Sequence, residues 1–85
     1  MPFAPTTLTM NEAETVLAQG LQAIAAGDTQ IDLGALQHFD SAAIATLLAW
    51  QRASSKLGKT LHITRLPQGL DSLAKLYGVE QLLLR

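Results

Sequence analysis

His38, Asp40 and Ser41 are the three residue types of a hydrolytic triad, and they fall within four positions of this chain. In such a triad the imidazole takes the hydroxyl proton while the carboxylate holds the ring. So close a spacing does not suit a backbone that must aim one imidazole at both neighbours. The other histidine, His62, lies in a separate alternating run, and two histidines with no cysteine and no H-E-x-x-H spacing make no metal site. The six glycines are dispersed at turn positions and build no phosphate cradle. The chain is therefore read as a non-enzyme without cofactor or metal, its histidines solvent-facing or locally bonded. What remains is the Ser41 hydroxyl, at the point where an alternating apolar run stops and a helical pattern starts. A serine there can cap the helix, accept a phosphoryl group or touch a partner.

Those residues need elements to position them. Thr6 to Met10, with Leu8 and Met10 on alternate residues, reads as a short edge strand. From Asn11, a plausible cap, Ala13, Val16, Leu17, Leu21 and Ile24 fall at helical spacing up to the Gly27-Asp28 stop, giving a helix over about 12–26. Gln30 to Leu36 alternates as a second strand. Asp40 or Ser41 caps a second helix over about 41–57, with Ile44, Leu47 and Leu48 as its core stripe and Ala43, Trp50 and Leu57 on a neighbouring flank. Thr60 to Leu66 is a third strand, with Leu61, Ile63 and Arg65 on one face and His62 and Thr64 on the other. Pro67 opens a last helix through Leu70, Leu73, Ala74 and Tyr77, closed by Gly78 as a left-handed residue with Val79 as the apolar contact beyond it. The order is β-α-β-α-β-α. Its crossovers are long enough for parallel strands, and helices are expected mainly on one face of the sheet.

Eighty-five residues with 48% hydrophobic content make one domain over 1–85, with an irregular lead over about 1–5. Such a chain buries roughly 60–65% of its unfolded surface. A net charge of -1 with scattered lysines and arginines argues against a nucleic-acid surface. No run approaches the roughly 20 apolar residues that span a bilayer. Met1-Pro2-Phe3-Ala4-Pro5 lacks the pattern of a signal peptide, and cysteine is absent, so the expected location is cytoplasmic.

The clearest functional sign is the second helix. From Ser41 to Gln51 it carries no charged side chain, although an exposed helical face normally carries several. Something apolar or neutral is expected against it. Trp50 is either the anchor of that contact or a core residue, and both readings stand at this level.

The strand ending in Phe39-Asp40-Ser41-Ala42-Ala43, the helix Ile44-Ala45-Thr46-Leu47-Leu48 and the ending Leu73-Ala74-Lys75-Leu76-Tyr77-Gly78-Val79-Glu80-Gln81-Leu82-Leu83 resemble a STAS domain. Domains of that family occur in anti-sigma factor antagonists and sulfate transporter tails. The resemblance covers roughly residues 8–84 and includes an Asp-Ser/Thr-x-Gly signature, in which Ala43 stands where glycine is usual. The ending and the small size most resemble the MlaB-like STAS subunits of bacterial ABC transport systems, which move phospholipids and maintain lipid asymmetry. The resemblance implies a small α/β fold and an accessory subunit that binds the cytoplasmic ATPase and supports its assembly and activity. It also implies a place at the inner membrane through that partner. The contact would be made by Asp40, Ser41, Ala43, Thr46 and Trp50. The alternative it implies is an antagonist that binds an anti-sigma factor kinase and is switched by phosphorylation of Ser41. A third reading is a small-ligand carrier whose apolar Leu82-Leu83-Leu84 tail lines a pocket; packing of that tail on the last helix or the sheet is preferred to it, and an exposed tail would be a self-association or partner patch.

Overall fold

The computed structural model describes residues 3–79. Seven elements follow in order: β1 (Thr7–Leu8), α1 (Ala13–Ala25), β2 (Gln30–Asp32), β3 (His38–Phe39), α2 (Ala42–Lys56), β4 (His62–Thr64) and α3 (Gln68–Leu76). All strand pairs are parallel. β1 pairs with β3 (Thr7 with His38, Leu8 with Phe39), β2 pairs with β4 (Ile31 with Ile63), and a bridge from Phe3 to Ile31 joins the two ladders. The result is a small α/β layer structure of the expected class.

The strand expected over Gln30 to Leu36 ends at Asp32, and a separate strand, His38–Phe39, forms beyond its expected end. Phe3 to Thr7 is four residue steps, whereas their partners Ile31 to His38 are seven apart, so the second chain must shed three residues. It does so in a turn after Leu33, where Leu36 N–H donates to the Leu33 carbonyl (3.1 Å) and Gly34 N–H to Asp32 Oδ1 (2.8 Å). Alternation alone does not reveal such an extrusion, because the register belongs to two strands together. Within the irregular lead the described structure begins at Phe3, which makes an isolated bridge to Ile31. The Phe3 ring meets Trp50 edge-on with centroids 5.6 Å apart.

Pairing places Ile31 beside Ile63 and Leu8 beside Phe39 on the inward face, with Gln30 beside His62, Asp32 beside Thr64 and Thr7 beside His38 on the other. The inward side chains meet α1, α2 and α3 in one core that includes Leu8, Val16, Ile24, Leu33, Leu47, Leu61 and Leu70. Arg65 leaves the strand expected to include it. Its φ is 55°, and its guanidinium turns back to grip Asp32, Nη2 to Oδ2 at 2.6 Å and Nε to Oδ1 at 3.1 Å.

Helix α1 starts after Glu12, and Asn11 makes no cap; the turn before it closes through the Thr9 hydroxyl and the Glu12 carboxylate. Helix α3 ends as its sequence suggested. Gly78 has φ 72°, its N–H donates to the Lys75 carbonyl (3.0 Å), and Val79 N–H donates to the Ala74 carbonyl (2.9 Å). That is the Schellman pattern, with Val79 packed on the core. Leu82 to Leu84 lie outside the described residues.

The largest correction concerns α2. Trp50 and Ala43 are 0% exposed, so two of the three residues read as a separate flank are core, as is Thr46 at 4% exposed. Leu48 is only half-buried and Leu57 is 53% exposed. The reason lies on another helix. Gly20 of α1 is buried against the indole, and a Cβ there would collide with the Trp50 ring. The indole N–H donates to the Leu17 carbonyl at 3.1 Å, so the one polar atom of Trp50 is satisfied inside.

Candidate functional site

The turn from β3 into α2 is built around the Asp40 carboxylate. Oδ1 accepts Ala42 N–H at 2.8 Å and Oδ2 accepts Met10 N–H at 3.0 Å. Asp40 N–H donates to the Leu8 carbonyl (3.3 Å), and Ala43 N–H donates to the Asp40 carbonyl (3.0 Å). Asp40 is therefore the residue that caps α2 in effect, satisfying a first-turn N–H that would otherwise have no partner.

Ser41 is freed by this. Its backbone is already helical, with φ -62° and ψ -19°, and its side chain makes no cap hydrogen bond. The residue is exposed, and its hydroxyl has no partner among the described residues. It stands at the positive end of the α2 dipole, in a first turn that holds no acidic side chain. His38 is exposed on the outer sheet face beside Thr7, and no hydrogen bond links it to Asp40 or Ser41. The carboxylate of Asp40 is committed to two backbone donors. The three residues are brought close in the chain but not into a proton relay.

Of the other residues expected at the contact, Ala43, Thr46 and Trp50 lie beneath the surface. The Thr46 hydroxyl donates to the Ala42 carbonyl (3.0 Å), one turn back on its own helix. Ala43 has no positive φ, a conformation that Arg65 alone shows among the described non-glycine residues, so the backbone here does not require glycine. The outward strip of α2 consists instead of Ser41, Ala42, Ala45, Leu48 and Ala49, exposed or half-buried and uncharged as far as Arg52. Ala45 and Leu48 could have been found from Ser41 by the i, i+4, i+7 spacing of one helical face. Assigning that face to solvent required knowing where α1 packs.

Among the described residues no group of three or more His, Cys, Asp or Glu is gathered as a metal site. No described helix is long and apolar enough to cross a membrane. Among the described residues Asp32 is the one group whose carboxyl is held clearly below its ordinary range, first by the Gly34 N–H and then by Arg65, and it is the last residue of β2, before the β2–β3 turn.

A three-helix layer on short parallel strands, with an exposed serine at a strand-to-helix turn, defines a small α/β domain of the STAS kind. The family model described as "Mlab, STAS domain" matches residues 5–85, and the chain belongs to that family. Membership makes it a small accessory or regulatory domain. No curated protein gives a significant match to it.

Proposed function

We propose that this chain is a non-enzymatic accessory subunit that docks the Ser41 end of α2 onto the cytoplasmic ATPase of an ABC phospholipid transporter serving lipid asymmetry. The observation that carries the reading is the unbonded, exposed Ser41 hydroxyl at the head of the uncharged strip Ala42, Ala45, Leu48 and Ala49, in a chain of the MlaB-type family. Asp40 holds the turn, while Ala43, Thr46 and Trp50 support the strip from beneath. Such a subunit acts by binding one conformation of the ATPase better than another, which shifts the ATPase toward that state without chemistry of its own. The subunit sits at the inner membrane through its partner.

The test is to purify the chain with the ATPase subunit of the host's phospholipid transporter and measure complex formation and ATP hydrolysis with and without it. Binding that raises hydrolysis and is lost in Ser41→Asp supports the reading. Equal binding by Ser41→Asp places the contact elsewhere.

The free hydroxyl also favours a second reading, an anti-sigma factor antagonist that binds a kinase and is released when Ser41 is phosphorylated. A phosphoserine adds about -1.5 to -2 charges, which the helix start tolerates and a neutral partner surface does not. Incubation with the cognate kinase and ATP, followed by mass spectrometry of the Ser41 peptide, separates the two. Absence of modification counts against the antagonist and leaves the transporter subunit untouched.

A further inference from the structure

We infer that Met10 is a second contact residue of the same docking surface, and that Asp40 is the positioning residue that holds it beside Ser41. The inference rests on the transporter-subunit reading and deepens it by naming what the ATPase must offer: an apolar recess for a thioether next to the group that meets the Ser41 hydroxyl.

Met10 lies in the turn between β1 and α1, and it is 72% exposed. A single exposed apolar residue is commonplace and by itself means little. This one sits on an ordered turn. Glu12 N–H donates to the Thr9 carbonyl (3.1 Å), the Thr9 hydroxyl bonds the Glu12 carboxylate, and Met10 N–H donates to Asp40 Oδ2 (3.0 Å). The other oxygen of that carboxylate takes Ala42 N–H, beside Ser41 (2.8 Å). One side chain thus fixes the spacing between two turns that are 30 residues apart in sequence.

Ordering a turn costs conformational entropy, and burial is the usual compensation. Here the large side chain gains little burial within the chain, with Met10 72% exposed. The arrangement suits a contact in which the ordering is already complete before the partner arrives, which lowers the cost of association. Methionine suits such a contact because its unbranched thioether fills irregular apolar recesses. Both turns follow the carboxyl ends of their strands, the end of an open parallel sheet where ligands and partners meet α/β folds. Met10 therefore stands at the same end of the strands as Ser41, its backbone tied to the turn that opens α2.

The experiment titrates the wild-type chain, Ser41→Asp, Met10→Ser, Met10→Leu, Asp40→Asn and Met10→Ser with Asp40→Asn against the purified transporter ATPase, after amide spectra confirm that each is folded. The expected result is a loss of about tenfold or more in affinity for Met10→Ser, as for a hot-spot truncation, and a change within about threefold for Met10→Leu, as for a volume-conserving apolar swap. Asparagine offers one acceptor oxygen in place of two, so Asp40→Asn weakens binding, but it adds little once Met10 is serine. That coupling between the two sites is what a purely structural Asp40 would not produce. Wild-type-like binding by Met10→Ser, with Ser41→Asp defective, overturns the role of Met10 and leaves the docking site standing. Additive losses overturn the positioning role of Asp40. A wild-type chain that does not bind the ATPase overturns the transporter reading and this inference with it.

Discussion

The Ser41 and Trp50 parts of α2 look alike in sequence, with no charged side chain from Ser41 to Gln51, yet they have opposite surroundings. At the Trp50 end the indole is enclosed by Gly20, Phe3 and the Leu17 carbonyl, and the Gln51 side chain donates to the Leu61 carbonyl at 3.2 Å. At the Ser41 end the backbone donors are satisfied by Asp40, and the hydroxyl is left facing water. An uncharged stretch of helix can arise from burial against its own fold, as at Trp50, or, on the function proposed for this chain, from reservation for a partner. A hydrophobic pattern does not separate them.

The comparison breaks most easily at the Trp50 end. Trp50→Ala should cost about 3–5 kcal/mol by leaving a cavity, a large part of the total of about 4–13 kcal/mol expected for a chain this size. Urea unfolding would measure it. Gly20→Ala, an exchange that normally favours a helix, should instead destabilise by about 1–3 kcal/mol because the new methyl overlaps the indole. If Gly20→Ala proves neutral or stabilising, the indole does not fill that slot. At the other end, Ser41→Asp should leave unfolding within about 0.5 kcal/mol of wild type while abolishing ATPase binding. That pairing of a silent fold with a lost partner would show that the two ends do different work.

Asp40→Ala falls between these cases. It removes an acceptor from two backbone N–H groups and should cost about 1–2 kcal/mol, together with faster amide exchange at Met10 and Ala42.

The smallest effect is expected at Asp32. Its folded pKa lies below the ordinary 3.8, so its contribution is present above that value and disappears as pH falls through the folded value. Asp32→Asn should therefore be less stable than wild type at neutral pH, and the gap should close as pH falls below 3.8 and through the folded value. A gap that persists in acid would mean that shape rather than charge is what Asp32 supplies.

Much of the architecture was legible because it is local. The helix stop at Gly27, the Gly78-Val79 ending, the inward Ile44 and Leu47 and the alternation of Leu61 and Ile63 all follow from spacing within one element. Asp40 and Ser41 were visible as a joint for the same reason. The misreadings required two elements at once. The break after Leu33 depends on what β1 pairs with, and the burial of Trp50 depends on a glycine 30 positions earlier.

Sequence by itself determined the class of fold, the family motif and the serine at the head of the helix, because helical and strand periods and cap chemistry act over a few residues. Only the tertiary structure decided which neutral residues are interior and which are surface, and which side chain caps the turn. Burial and hydrogen-bond pairing are settled between segments that the chain brings together only when it folds.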